Sequence, residues 1–146
     1  MKAKALQIRN AIFWVLIAIF AILVAVLVTG WGRRWGPKLS SSTMIFLAIT
    51  FFALAAMVVV LTVKLKEPGI RKLFFIVTGV SVVGIPICVI LHNLVYALFF
   101  HGKGGDEAVF FILAIFVCPA LFVIGAVGSI VLLISARLRS LKKRSL

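Results

Sequence analysis

The sequence predicts an all-α integral membrane protein: a bundle of four antiparallel transmembrane helices with both termini in the cytoplasm. Three observations carry this. Four long segments, 11–30, 43–63, 73–100 and 108–136, contain no Asp, Glu, Lys or Arg. Of the 146 residues, 64% are hydrophobic, with a mean hydropathy of +1.30. The charges are gathered into the short stretches between those segments and at the two chain ends. An uncharged run of about 20 residues crosses the bilayer hydrocarbon as a helix, and a water-facing domain would almost never contain four. One membrane domain over 1–146 is expected, ending in a basic cytoplasmic tail, 137–146.

The first span follows Lys2, Lys4 and Arg9, a flank that a signal peptide would also have. Its apolar run exceeds the h-region of about 7–15 residues, so it is expected to be a retained span. Arg33 and Arg34 come after it and make no twin-arginine signal. The loop Trp31–Lys38 mixes tryptophan with cations, as interfacial anchors do; a docking surface for an acidic partner or lipid is the alternative. Gly36-Pro37 then turns the chain, and Ser40, Ser41, Ser42 and Thr43 supply cap side chains for the second span.

Pro68-Gly69 turns the chain into the third span, which contains Pro86, and the fourth contains Pro119, so kinks are expected in both. At about 1.5 Å per residue these two spans exceed the hydrocarbon thickness and must tilt, kink or protrude. Gly102, Gly104 and Gly105 loosen the connection between them. Asp106 and Glu107 then place negative charge at the start of span four, where the helix dipole favours it. Connections this short make successive helices antiparallel neighbours.

Orientation follows from the cations. Twelve lie with the N-terminus, the 64–72 connection and the tail, against four (Arg33, Arg34, Lys38, Lys103) on the opposite side. The more basic side is cytoplasmic. The net charge of +13 would suggest nucleic acid in a soluble protein, but its placement at span ends assigns it to anionic headgroups instead. Nucleic acid is therefore not expected as a partner. Brevity and short loops point to a prokaryotic inner membrane.

The third span carries one continuous polar stripe. At about 100° per residue, Ser81, Gly84, Cys88, His92 and Tyr96 fall within about a third of the circumference, with Asn93 further round. The fourth offers Glu107, Ala114, Cys118, Gly125 and Ser129 on a similar face. Gly84, Cys88, Ala114, Cys118, Gly125 and Ser129 are expected to be the helix-packing positions, because small residues let backbones approach closely in lipid. Cys88 and Cys118 fall at comparable depth; without a Cys-x-x-Cys motif they are expected to pack as small apolar residues, with a disulfide or redox pair as the alternative.

A ligand or proton site, if one exists, is expected at His92, Asn93, Tyr96 and Glu107 on the outer half of the bundle. Histidine changes charge near neutral pH, and an intramembrane ionisable group is a functional candidate. No acidic residue lies within a span to hold or pass a proton, so a neutral interhelical hydrogen bond is the favoured role of His92. His92, His101, Asp106 and Glu107 are the one set of metal-ligand types, but without a compact signature such as His-Glu-x-x-His; no metal and no cofactor are expected.

The residue set argues against an enzyme. The leading expectation is a small non-catalytic protein acting through helix–helix association, as an accessory subunit of a membrane complex or a homo-oligomer. A small oligomeric transporter or channel around the His92 stripe is the alternative. An intramembrane enzyme using His92 with Asn93, Tyr96 or Glu107 is the weakest reading.

Overall fold

In the computed structural model, residues 2–32, 40–65, 69–100 and 108–142 are described. All their regular structure is helical: α1 (Lys2–Gly32), α2 (Ser41–Lys64), α3 (Ile70–Val95), α4 (Val109–Ile112) and α5 (Cys118–Lys142). A π-turn over Tyr96–Phe100 extends α3, and another over Leu113–Val117 joins α4 to α5. Four helical segments are long and apolar enough to cross a membrane: Lys4–Val26, Ser42–Lys64, Ile70–Phe100 and Val109–Arg139. That is the make-up of an integral membrane protein.

Local chemistry explains two of the helix starts. Ser40 caps α2: its Oγ accepts the Thr43 N–H at 3.2 Å, satisfying one of the donors left open in a first turn. Gly69 precedes α3 at φ +83° and ψ −161°, a conformation that is essentially glycine's alone and costs a residue with a Cβ about 1–3 kcal/mol. The two prolines behave differently. The α-helix runs on through Pro86, whereas the ladder widens just before Pro119, where the Cys118 N–H donates to the Leu113 carbonyl five residues back. Pro119 has no N–H to continue the ordinary ladder, and the π-turn sits immediately ahead of it.

α3 is the hub, with its largest interface against α5 and its next against α2, while α1 packs chiefly on α2. Glycines set the close approaches. A Cβ at Gly79 would stand 2.9 Å from the Ala55 carbonyl and collide with the Val59 side chain; one at Gly125 would stand 2.7 Å from the Thr78 nitrogen. Gly128 likewise makes room for the Phe74 ring. Where the helices stand further apart, aromatic rings fill the space: Phe20 and Phe122 lie 4.4 Å apart between centroids, and Phe13 meets Phe75 edge-on at 5.0 Å. Leu16, Ile19, Phe51, Ala55, Val82 and Ala126 complete the core around Phe122.

The outward surface is apolar too. Phe46, Ile90, Leu98, Val109, Phe116 and Ile124 are among many large side chains left exposed. Among the described residues, all the buried hydroxyls but that of Ser129 return to their own helices: Thr62 donates to the Val58 carbonyl at 2.6 Å, Thr78 to Phe74 at 2.8 Å and Ser81 to Thr78 at 3.0 Å. This internal pairing meets the demand that a lipid-enclosed helix satisfy its polar groups from within.

Candidate functional site

The polar stripe of α3 changes character along its length. Ser81 is buried, Gly84, Cys88 and His92 are half-buried, and Asn93 and Tyr96 are exposed. A four-residue step advances about 40° round an α-helix, so such a stripe winds off any straight interface. Gly84 faces the neighbouring helix directly: a Cβ there would lie 3.2 Å from the Cys118 Sγ. Both cysteines are reduced, and the two thiols are neighbours. Ala114, Cys118, Gly125 and Ser129 are all buried. Gly125 packs against Thr78 and Phe74, nearer the start of α3 than Cys88 and His92. Ser129 Oγ is the one fully buried side-chain N or O atom among the described residues with no hydrogen-bond partner.

Of the four expected site residues, three lie close together on one helix and are not gathered around a cavity. The His92 ring packs against Phe111 of α4 at 5.8 Å. Asn93 points away and returns its amide N–H to the Val89 carbonyl of its own helix at 2.8 Å. Tyr96 opens the π-turn and is 39% exposed. Glu107 lies outside the described residues, as do His101, Asp106, Arg33, Arg34, Lys38 and Lys103. Among the described residues no three His, Cys, Asp or Glu side chains converge.

The opposite end of the molecule holds a polar constellation that span-by-span reading did not single out. Arg9 was expected to face headgroups, but it is buried: its guanidinium lies over the Phe75 ring, 3.9 Å from the centroid. A desolvated cation over an aromatic face gains about 2 kcal/mol, which offsets part of the cost of taking it out of water. Arg9 Nε and Nη2 both donate to Asn10 Oδ1, at 3.3 and 3.0 Å. Across from them, Arg71 in the first turn of α3 donates to the Leu132 carbonyl of α5 at 3.5 Å.

Two clefts open beside Arg71. One, of about 530 Å³, runs between α1, α3 and α5 and is lined by Leu6, Asn10, Trp14, Arg71, Leu133, Ile134, Ala136 and Arg137. The other, of about 360 Å³, is lined by Arg71, Leu132, Ser135, Ala136 and Arg139. The spacing of Leu6, Asn10 and Trp14, four residues apart on one face of α1, was the available sequence signal. The unbroken apolar run over 15–28 that follows on that helix hid it.

No protein-family model matches the chain, and neither does any curated protein or solved structure.

Proposed function

We propose that the protein is a non-catalytic, four-span antiparallel membrane bundle that works through association, as an accessory subunit of a membrane complex or as a homo-oligomer. Both termini face the cytoplasm, and the prokaryotic inner membrane is its site. The paired positions of spans three and four support the antiparallel arrangement: Arg71 meets Leu132, Thr78 meets Gly125, Gly84 meets Cys118 and His92 meets Phe111. The twelve-to-four division of cations supports the orientation.

One observation carries the association reading: Asn93 is exposed on a helix face whose neighbouring exposed side chains are Val89, Ile90, Tyr96 and Ala97. It lies seven residues before the end of the π-turn at Phe100, about 10 Å down the helix. One amide N–H returns to Val89, but an Asn side chain has two donors and two acceptor sites, which hydrocarbon cannot satisfy. A partner helix covering this face would supply the rest. Gentle solubilisation followed by mass measurement tests the reading. A homo-oligomer, or a stoichiometric foreign subunit, is expected, and Asn93→Leu should release it. A wild-type chain that runs as a 15.9 kDa monomer with nothing bound overturns the reading.

The exposure of the same face favours the transporter or channel as second reading, since copies meeting there would bring His92, Asn93 and Tyr96 to a shared axis. His92→Phe separates the two. Under the association reading the variant keeps its ring contact with Phe111 and assembles normally. Loss of a transport activity that varies between about pH 5 and 8 would establish the second reading instead.

A further inference from the structure

The basic end of the bundle takes no part in the association argument, and its geometry is that of a binding site. We propose that the cleft between α1, α3 and α5 binds an anionic phospholipid, with Asn10, Arg71 and Arg137 holding the headgroup phosphate and Trp14, Leu133 and Ile134 flanking the acyl chains. The inference rests on the reading that these helices cross a bilayer with this end at the headgroups.

The polar lining of the cleft consists of donors. Asn10 would offer both an acceptor and donors, but its Oδ1 is taken by Arg9, leaving the amide N–H groups for the cleft. Arg71 commits one N–H to Leu132, and a guanidinium has five. Arg137 lines the same space, and no Asp or Glu is among the described lining residues. Planar arginine forks match phosphate oxygens, and basic pockets between transmembrane helices at the cytoplasmic face hold anionic headgroups. Arg71 also lines the neighbouring cleft with Arg139, so the two cavities share one positive wall.

The apolar walls decide between a lipid and a soluble anion. Trp14 lies one turn further into the membrane than Asn10 on α1, and Leu133 one turn further in than Arg137 on α5. Trp14 is 48% exposed and Ile134 51%, so the apolar wall runs from the cleft onto the lipid-facing surface, where acyl chains have an exit. Inorganic phosphate would use the arginines and gain nothing from that wall. Arg9 acts indirectly: buried on Phe75, it orients Asn10 as a donor and adds charge behind the cleft.

The test uses the full chain and two probe lipids with identical acyl chains, phosphatidylglycerol and phosphatidylcholine. Flotation with phosphatidylcholine vesicles comes first; a chain that does not float overturns the membrane reading and the proposal with it. With the floating protein, titration in detergent followed by native mass measurement should show phosphatidylglycerol retained about tenfold better than phosphatidylcholine, because both carry one phosphate but only the choline headgroup brings its own cation to neutralise the charge that the two arginines would meet. Arg71→Gln and Arg137→Gln should each reduce that preference several-fold, while Lys64→Gln, at the end of α2 and outside both clefts, should leave it intact. Arg137 is exposed, so its variant keeps the fold and the test stands even if Arg71→Gln does not fold. Equal retention of the two lipids, or a preference that survives both arginine variants, overturns the site alone. Displacement of phosphatidylglycerol by inorganic phosphate at millimolar concentration reassigns the cleft to a soluble anion and overturns the lipid proposal.

Discussion

Thr78 Oγ1 stands 2.6 Å from where a Cβ on Gly125 would sit, and the Thr78 backbone nitrogen stands 2.7 Å away. A side chain can swing aside, but backbone cannot, so any larger residue here must separate α3 from α5. Gly125→Leu should therefore lower the melting temperature in detergent, at a cost of about 1–3 kcal/mol typical of overpacking. An unchanged melting point would show that the two helices are not pressed together there. One turn along, Ser129 gives the opposite sign. Its buried hydroxyl has no hydrogen-bond partner, and Ser129→Ala removes that polar atom while keeping the volume, so the same melt should rise. A fall would mean that the hydroxyl is satisfied by something bound in the membrane.

Helix number, order and approximate extent were legible in the sequence because lipid demands long uncharged runs, and 11–30, 43–63, 73–100 and 108–136 are such runs. Which face of each helix turns inward was much less legible. In a soluble protein, polarity marks the outside, whereas here Phe13 is buried and Phe46 exposed with nothing in their chemistry to separate them. Only the small and hydroxylated residues betray the interior, as Thr78, Gly79 and Ser81 do on α3 and Gly125 and Ser129 on α5. The expected site was similarly half legible: His92, Asn93 and Tyr96 fall close together on one helix, but the winding of an α-helix carries Asn93 and Tyr96 outward. The basic cleft depends on Arg9 folding back onto a ring 66 positions later in the chain, a contact no local pattern encodes. The π-turn at Leu113–Val117 gives a prediction at this scale. A π-turn is an α-helix carrying one extra residue, so deleting exposed Phe116 should restore α-geometry without rotating α5 against α3. Deleting Val123 instead should turn Ala126 and Ser129 by about 100° relative to Phe122 and unpack α5. Comparable melting curves for the two deletions would contradict this account of the turn.

For the molecule as a whole, the proposed orientation predicts that cysteines placed at Ser41 and Gly104 react with an impermeant reagent from outside intact cells. Labelling only after permeabilisation would reverse the topology and place the basic cleft on the outer face. The position of α3 between α2 and α5, with Phe75 beneath Arg9, also fixes a sequence of events during synthesis. The ribosome delivers the first two spans before the ring that shelters Arg9 exists, so the early hairpin carries an uncovered guanidinium near its N-terminal end. That cation is shielded only when the third span enters and docks. A nascent chain ended after residue 65 should therefore sit in the membrane with its N-terminal segment open to cytoplasmic protease, while one ended after residue 100 should be protected. Equal protection of the two would mean that the early hairpin covers its own charge. Protection of the longer chain alone would make the third span the moment at which an inserted hairpin becomes a protein.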